Sequence, residues 1–498
     1  MIERGIVTGY EDGTFRPDRA VSREEFCAVL SRTLGLSPVS DGTVSAFSDV
    51  GGSWAVGHIA ALEKKGVLRA ADYSGVFRPS LPITRQEIVT MLVRAAGLEG
   101  ETLRSGSLTS FTDPIPERAK GYVAAALNHG LVSGYPDGTF RPSGTATRAE
   151  AGLMVLRLVD PKARPAVWRE TYTYDVPSGE NTLQVVRVNL KRDDVEVRPA
   201  LSGCIGQTAE LDAIAKASGA VAAVNGGYFS AYPEKRPVDP LEPYNAIKIG
   251  GTWVHFTYSG TTMGITAEKE VLMAPIRMKI EGSVDGKPGM WGAWSLNHTA
   301  PDAISVFNSY RGRTTRMPSG RCVVVRNGRV AGFGGPDVEI PSDGYVIYFP
   351  ETYVGGWSWK NLKPGSQVSF DVVFTTHKDE PYPDSFKWKG VVHAIGCGPR
   401  LVAGGKRATD PRAEGITEDK QTVLPYNRSA VGVTSDGILI IATCNRMTIE
   451  ELADALVDLG AKDAMQLDSG ASSGLFYEGK YLTRPGRKLA SALVVVKK

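Results

Sequence analysis

The stretch TIEELADALVDLGAKDAMQLDSG, residues 448–470, decides how the second half of this chain folds. Thr448 and Glu451 have the spacing of a capping box, in which each side chain satisfies the other's free backbone N–H at a helix start. Ile449, Leu452 and Leu456 then recur at helical period as a buried stripe, and Gly460 supplies the left-handed stop. A strand from about Asp463 to Leu467 follows and ends on Asp468, with only small residues behind it. A polar residue delivered at the carboxyl end of a strand is how α/β proteins commonly build a binding crevice.

The same plan occurs upstream in AELDAIAKASGAVAAVNGGYF, residues 209–229. A short helix closes at Gly219, and a strand from Ala220 to Val224 delivers Asn225, Gly226 and Gly227, the last two small enough for a ligand to approach backbone. Between the two passages lies NRSAVGVTSDGILIIATCN, residues 427–445. Asp436-Gly437 marks a hairpin between apolar strands, and Arg428 stands just ahead of the first of them. With alternating runs such as LQVVRVNL and VEVRPAL, residues 172–498 are expected to form an α+β domain with a mixed sheet. A Pro-broken linker, 161–171, precedes it.

Residues 1–160 carry a repeat. Gly13-Thr14-Phe15-Arg16-Pro17 returns as Gly75-Val76-Phe77-Arg78-Pro79 and as Gly138-Thr139-Phe140-Arg141-Pro142. Such fixed self-similarity signals a repeat architecture. Each turn is followed by a capping-box helix start, at Ser22/Glu25, Thr84/Glu87 and Thr147/Glu150. The expectation is a multidomain chain whose first part is a mostly α-helical cluster of three repeats. The first repeat is cut short, since it lacks the F-x-D half that the others show at Phe47/Asp49 and Phe111/Asp113.

Composition narrows the function classes. At 498 residues the chain exceeds one hydrophobic core. A formal charge of +3 excludes the overall basic field of a nucleic-acid binder. Five scattered cysteines without CxxC spacing suggest neither a zinc site nor a disulfide framework. No apolar run reaches the length of about 18 residues that marks a membrane span. The opening MIERGIVTGYEDGTF has no signal-peptide pattern, and with the incomplete first repeat this leads to the expectation of a truncated N-terminus.

The segments GYEDGTFRP…SREEF, FSDV…WAVGHIAALEKKGVL…ITRQEI and FTDP…GYVAAALNHGLVSGYPDGTFRP…TRAEA together resemble the S-layer homology family. The resemblance implies an extracellular, cell-wall or S-layer associated protein that binds secondary cell-wall polysaccharide. It also implies that Arg23, Arg85 and Arg148 face the polymer. Read from the residues alone, each arginine sits at a helix's first turn and can equally be solvated or salt-bridged. Repeat two departs from the pattern, with RAADYSGVF where repeat three has SGYPDGTF.

In the second domain AAVNGGYF, AIGCGPRLVAGG, NRSAVGV and LGAKDAMQLDSGASS, in that order, resemble the phosphodiester glycosidase family, which includes N-acetylglucosamine-1-phosphodiester α-N-acetylglucosaminidase. Residues 235–390 match weakly and form a divergent segment. The departures are Ser-Gly-Ala after Asp468 in place of three glycines, Gln466 in place of Asn, and TCNR in place of an Asp-Gly-Arg turn. The resemblance implies a hydrolase that cleaves a sugar from a phosphodiester, with a phosphodiester-linked glycan as substrate.

That chemistry asks for a carboxylate near the anomeric carbon, where oxocarbenium character develops, and for cations on the phosphate. Asp468 is the expected anomeric carboxylate, Arg428 the phosphate clamp and Arg487 a second phosphate ligand. Asn225 is expected to bond sugar or phosphate beside Gly226 and Gly227. Gly398, Ser469, Gly470, Ser472 and Ser473 are the remaining substrate-binding candidates. No cofactor or metal site is expected, and a divalent-cation requirement is left open.

Other readings bear on the same residues. Asp468 and Asn225 also suit ordinary turns. Gly470 to Gly474 fits G-x-S-x-G around Ser472, but all six histidines precede that serine, against the order of an α/β-hydrolase triad. His393 is a possible acid/base or a core histidine. A non-catalytic glycan-binding surface protein is the alternative to an enzyme, and a phosphodiesterase would want metal ligands that the sequence lacks.

Overall fold

The computed structural model describes residues 6, 9–10, 12–39, 45–101, 107–232, 234, 241–257, 260–376 and 378–498. The chain divides into two compact units, Met1–Tyr174 with Asp458–Gly460, and Asp175–Val457 with Ala461–Lys498. The expectation of a mostly helical cluster joined to a mixed-sheet α+β domain is overturned. Strands take 36% of the residues and helices 22%, in several antiparallel sheets. Among the described residues only Ser295–Leu296 and Ser305–Phe307 pair in parallel.

In the first unit the helices are Arg23–Thr33, Val56–Lys64, Arg85–Ala95, Glu117–Asn128 and Arg148–Val159. They are short, 9 to 12 residues each, and turns and extended segments take most of the remaining chain. The capping boxes at Ser22/Glu25, Thr84/Glu87 and Thr147/Glu150 are all formed. Each repeat turn has its glycine and its arginine at positive φ, Gly13, Gly75 and Gly138 near +80° and Arg16, Arg78 and Arg141 between +52° and +58°. The F-x-D aspartates hold these turns from within the repeat. Asp49 accepts from the Phe77 and Arg78 N–H groups at 2.8 and 2.6 Å, and Asp113 from those of Phe140 and Arg141 at 2.7 Å.

The three repeats close on one another. Val21 N–H donates to the Ala146 carbonyl (3.1 Å), Ile83 N–H to the Val21 carbonyl (3.0 Å), and Ala146 N–H to the Ile83 carbonyl (3.2 Å). One apolar core lies around this ring, with Phe26, Leu30, Ile59, Phe77, Ile88, Leu92, Val123 and Phe140 fully buried.

The second unit is built of antiparallel sheets. In one, Gly179–Asn189, Ile438–Met447, Tyr426–Thr434, Ala461–Gln466, Arg400–Ala403 and Lys406–Arg407 lie side by side in that order. Another runs Lys480–Thr483, Leu475–Tyr477, Ala220–Asn225, Ser491–Lys497 and Val195–Leu201. A third contains Ile247–Ile249, Val391–Gly396 and Gly260–Thr266. The divergent segment proves rich in strands, the longest being Val271–Val284, whose burial alternates residue by residue from Ala274 onward as one sheet face requires. Residues 235–240, 258–259 and 377 of it, His377 among them, lie outside the described residues.

The local signals around Asp468 and Asn225 are realised. Thr448 and Glu451 exchange capping hydrogen bonds at 2.8 and 3.2 Å. Helix Ile449–Asp458 buries Ile449, Leu452 and Leu456, and strand Ala461–Gln466 delivers Leu467 and Asp468. Asp436-Gly437 turns the chain between Tyr426–Thr434 and Ile438–Met447, with Gly437 at φ +87°.

Candidate active site

Strand ends from two sheets line one crevice, and the end of a strand from a third sheet frames it. Ala220–Asn225 brings Asn225, Gly226 and Gly227; Ala461–Gln466 brings Asp468; Val391–Gly396 brings Cys397, Gly398 and Pro399. The crevice is lined by Asn225, Gly226, Gly227, Asp468 and Ser472, with Phe229 and Ser491 among its walls, and is too tight to admit a water molecule.

Asp468 is half-buried at its centre. Burial pushes its carboxyl up to about 6, against hydrogen bonds from the Ser472 hydroxyl and the Ser469 N–H and the positive charges of Arg487 and Lys420, all of which favour the ionised form. The Ser469 N–H donates to Asp468 Oδ1 at 2.8 Å. A carboxyl poised near neutrality in a crevice is the electrostatic mark of a functional group.

Asn225 is fully buried and already spoken for. Its Nδ2 donates to the main-chain carbonyls of Asp468 (2.7 Å) and Gly226 (3.1 Å), while Oδ1 accepts from Gly474 N–H (3.1 Å). The sequence suggested an amide that bonds substrate; the geometry makes it a brace that sets the backbone on which Asp468 stands. Gly226 and Gly227 are required by space. A Cβ on Gly226 would fall 2.2 Å from Ser491 Oγ, and one on Gly227 would fall 2.2 Å from the Gly396 carbonyl oxygen.

Arg428 does not flank its strand, as expected, but lies inside it and is 0% exposed. Nε donates to Met447 O (2.6 Å), Nη1 to Gln466 Oε1 (2.7 Å), and Nη2 to the carbonyls of Lys420 (3.2 Å) and Leu424 (2.7 Å). A guanidinium has five N–H donors, and four hydrogen bonds to protein leave no fork for a phosphate. Arg428 is therefore not positioned as the phosphate clamp. Arg487 is more open. Its Nη2 donates to the Tyr232 hydroxyl at 2.7 Å, and its guanidinium lies 4.8 Å from that ring's centre.

The loop candidates divide. Ser472, 1% exposed, bonds the Asp468 carboxylate, whereas Ser469 Oγ turns back to Leu467 O at 3.2 Å. Ser473 Oγ is buried with no hydrogen-bond partner. Gly470, at φ +70°, lies where a Cβ would strike the Tyr426 ring at 2.3 Å. Gly398 frames the site without lining the crevice. Its N–H donates to Gln466 O (3.1 Å) and its carbonyl accepts from the Tyr228 hydroxyl (2.9 Å). His393 lies on a strand, half-buried, and accepts from Gly250 N–H at 3.2 Å. Among the described residues no group of three or more His, Cys, Asp or Glu side chains is arranged to hold a metal.

Sequence reasoning missed Tyr228, Lys420, Gln421 and Ser491. Tyr228 sits inside the motif after Gly227 and was legible as a neighbour. Lys420 and Gln421 carry no local signal, because their place depends on hydrogen bonds from distant strands.

In the first unit Arg23, Arg85 and Arg148 act alike. Arg23 donates to the carbonyl of Phe77 (2.7 Å), Arg85 to that of Phe140 (2.9 Å) and Arg148 to that of Phe15 (3.0 Å), so each clasps the turn of another repeat. Arg85, only 3% exposed, does not face a polymer. Arg23 pairs with Glu87 at 2.6 Å and borders a cleft with about 1580 Å³ of open space, also lined by Tyr73, Arg78, Arg94, Arg118 and Tyr122. Arg16 and Arg141 are held by Asp12 and Asp137 at 2.7 and 2.5 Å. Ser74 stands at the equivalent place in repeat two, and Arg78 is exposed at the cleft.

These features define a modular protein, a closed three-repeat unit together with an antiparallel β unit that carries a single-carboxylate crevice. Residues 319–496 match the phosphodiester glycosidase family, and residues 1–27, 46–89 and 111–151 match the S-layer homology domain. The chain thus carries S-layer homology repeats followed by a phosphodiester glycosidase domain, and the repeats mark it as an extracellular protein of the cell wall or S-layer. It is 34% identical over 165 residues to an amylopullulanase of Thermoanaerobacterium thermosulfurigenes, covering 32% of this chain and 9% of that one. It is 33% identical over 202 residues to an uncharacterized cell wall amidase of Bacillus anthracis, covering 37% and 36%. The S-layer protein EA1 of Bacillus anthracis is 29% identical over 182 residues, covering 36% and 20%. The chain therefore spans at most about a third of these relatives' length. Among solved structures, a hypothetical protein from Synechocystis shares the fold at TM-score 0.58 and 21% identity, covering 67% of this chain and 62% of that one. An exported protein of Burkholderia pseudomallei does so at 0.51 and 18%, covering 71% and 82%. No helix among the described residues is long and apolar enough to cross a membrane.

Proposed function

We propose that residues 172–498 hydrolyse the bond between a sugar's anomeric carbon and a phosphodiester oxygen in a cell-surface or capsular glycan. Residues 1–160 hold the enzyme on secondary cell-wall polysaccharide. The reading is carried by the poised carboxyl of Asp468 at the meeting of three strand ends. In the reaction the C1–O bond breaks, the phosphate leaves with the electron pair as a phosphomonoester, water oxygen takes its place on C1, and the proton that water gives up passes to the phosphomonoester or to solvent. A phosphomonoester, with a second pKa of about 6, leaves without a strong general acid. Ionised Asp468 stabilises or attacks the oxocarbenium-like centre, Ser472 orients it, and Arg487 exchanges Tyr232 for a phosphate oxygen.

The cleft around Arg23, Arg78 and Arg118 supports the anchoring half of the proposal. Arg78 and Arg118 are its exposed cations, beside Tyr73 and Tyr122, whereas Arg23 is already paired with Glu87.

The test uses the full chain against a panel of sugar-1-phosphodiesters, with free sugar and phosphomonoester followed by NMR in the presence and absence of EDTA. Release of both products is expected. The alternative is a glycan-binding surface protein without turnover, in which Ser-Gly-Ala after Asp468 stands in place of three glycines. Saturable glycan binding with no product from any substrate would establish that alternative.

A further inference from the structure

We infer that the second cation of this site is Lys420, presented by the segment 419–424, and that Arg428 is the positioning residue beneath it. The inference rests on the reading of the crevice as a phosphodiester site. Arg428 reaches that segment twice, through the carbonyls of Lys420 and Leu424. Its other arm holds Gln466 Oε1, and Gln466 Nε2 passes the link to Gln421 Oε1 (3.0 Å) and the Tyr228 hydroxyl (3.1 Å). Gln466 ends the strand that delivers Asp468 two residues later. One buried arginine thus ties the segment to the carboxylate's own strand.

Anchoring sorts the segment's side chains. Gln421 and Thr422 are 6% and 7% exposed, while Lys420 stands in solvent. Lys420 lies within electrostatic reach of Asp468, Tyr232 and Tyr426. Its ion pair with Glu418, at 2.9 Å, joins two exposed side chains, the kind of pair that holds weakly. Arg487, between strands Lys480–Thr483 and Ser491–Lys497, bonds the Tyr232 hydroxyl.

The chemistry calls for two cations. The diester phosphate carries one negative charge, and breaking the C1–O bond delivers a second onto it. A cation that meets the second charge stabilises the transition state more than the bound substrate and acts on kcat. Lys420 is a mobile point charge suited to follow that change.

The test compares wild type, Lys420→Ala, Arg428→Lys and the double variant in the full chain. Turnover is followed on a sugar-1-phosphodiester and on a nitrophenyl glycoside without phosphate, and binding of glycerol 3-phosphate by 31P NMR. Lys420→Ala is expected to lower kcat on the phosphodiester about tenfold to a hundredfold, to weaken glycerol phosphate binding, and to cost the nitrophenyl glycoside clearly less, since only the phosphodiester gathers charge on its leaving phosphate. Arg428→Lys keeps the charge but not the fork; it is expected to reproduce the loss in wild type and to add nothing in the Lys420→Ala background.

Unchanged phosphate binding and turnover in Lys420→Ala would overturn the assignment of Lys420. Equal cost of Arg428→Lys in both backgrounds would overturn the positioning role. If Arg428→Lys does not fold, Lys420→Ala, altered on an exposed side chain, decides alone. A wild type that binds glycerol phosphate through Lys420 yet turns over nothing would sink the glycosidase reading and leave this one standing.

Discussion

Asn225 and Asp468, 243 residues apart, are joined by a 2.7 Å hydrogen bond from the amide nitrogen of one to the main-chain carbonyl of the other. The bond crosses two sheets and fixes the backbone beneath the carboxylate. Asn225→Ala strips the Asp468 carbonyl and the Gly474 N–H of their side-chain partner, while the Gly226 carbonyl keeps the Asp468 N–H at 3.1 Å, at a cost of about 2–4 kcal/mol. Urea denaturation should show the midpoint falling with the slope unchanged.

Asp468→Asn should lower turnover at least about a hundredfold while raising stability at neutral pH. Folding lifts this carboxyl from 3.8 to about 6. Between those values the folded state keeps a proton that the unfolded chain has released, so stability falls as pH rises through the window and is level above it. The asparagine variant escapes that fall, by about 1–3 kcal/mol above pH 6. Melting curves at pH 4 and pH 7.5 for both proteins measure the difference.

The pH profile of kcat/KM should have an acid limb near 6, since Asp468 acts ionised. Arg487 favours the ionised form, so Arg487→Gln should move the limb to higher pH as well as weaken the substrate. A profile that instead declines above 6 would make Asp468 a proton donor.

Gly227→Ala should destabilise more than Gly226→Ala. The first meets a fixed carbonyl at Gly396, the second chiefly a hydroxyl at Ser491. Costs of about 1–3 kcal/mol are expected for such overpacking, and Ser491→Ala should recover part of the Gly226 loss. Thermal melts of the three single variants and the Gly226/Ser491 double variant supply the comparison.

Arg78→Ala should weaken pull-down on purified cell wall about tenfold, and Arg141→Ala much less. Asp137 already occupies Arg141 at 2.5 Å, whereas Arg78 borders the cleft. Equal binding by both variants would remove the cleft from the anchoring role.

Local chemistry made the site's frame legible. The capping box at Thr448, the stop at Gly460 and the small residues after Asn225 and Asp468 each satisfy a requirement met within a few residues of chain. Arg428 was misplaced because a charge inside a strand is tolerable only where acceptors converge on it. Its acceptors come from Lys420, Leu424, Met447 and Gln466, which periodicity does not connect. The predominance of antiparallel sheet was hidden for a related reason. Strands such as Val271–Val284 and Val368–Thr375 pair across nearly a hundred residues, and the short helices around them give the stronger local signal. The repeat arginines were singled out through the resemblance to the S-layer homology family. That they clasp neighbouring turns required the closed arrangement of the repeats.

The closed cycle of three hydrogen bonds among Val21, Ile83 and Ala146 has a mechanical consequence. A row of repeats under tension peels from one end, and each unit yields in turn. Here every repeat holds a bond from each of the other two, so none can come away without stranding a buried donor and acceptor elsewhere. Pulled by its tether, this unit should rupture in one event, and a two-repeat fragment should fail to fold where the intact trio resists.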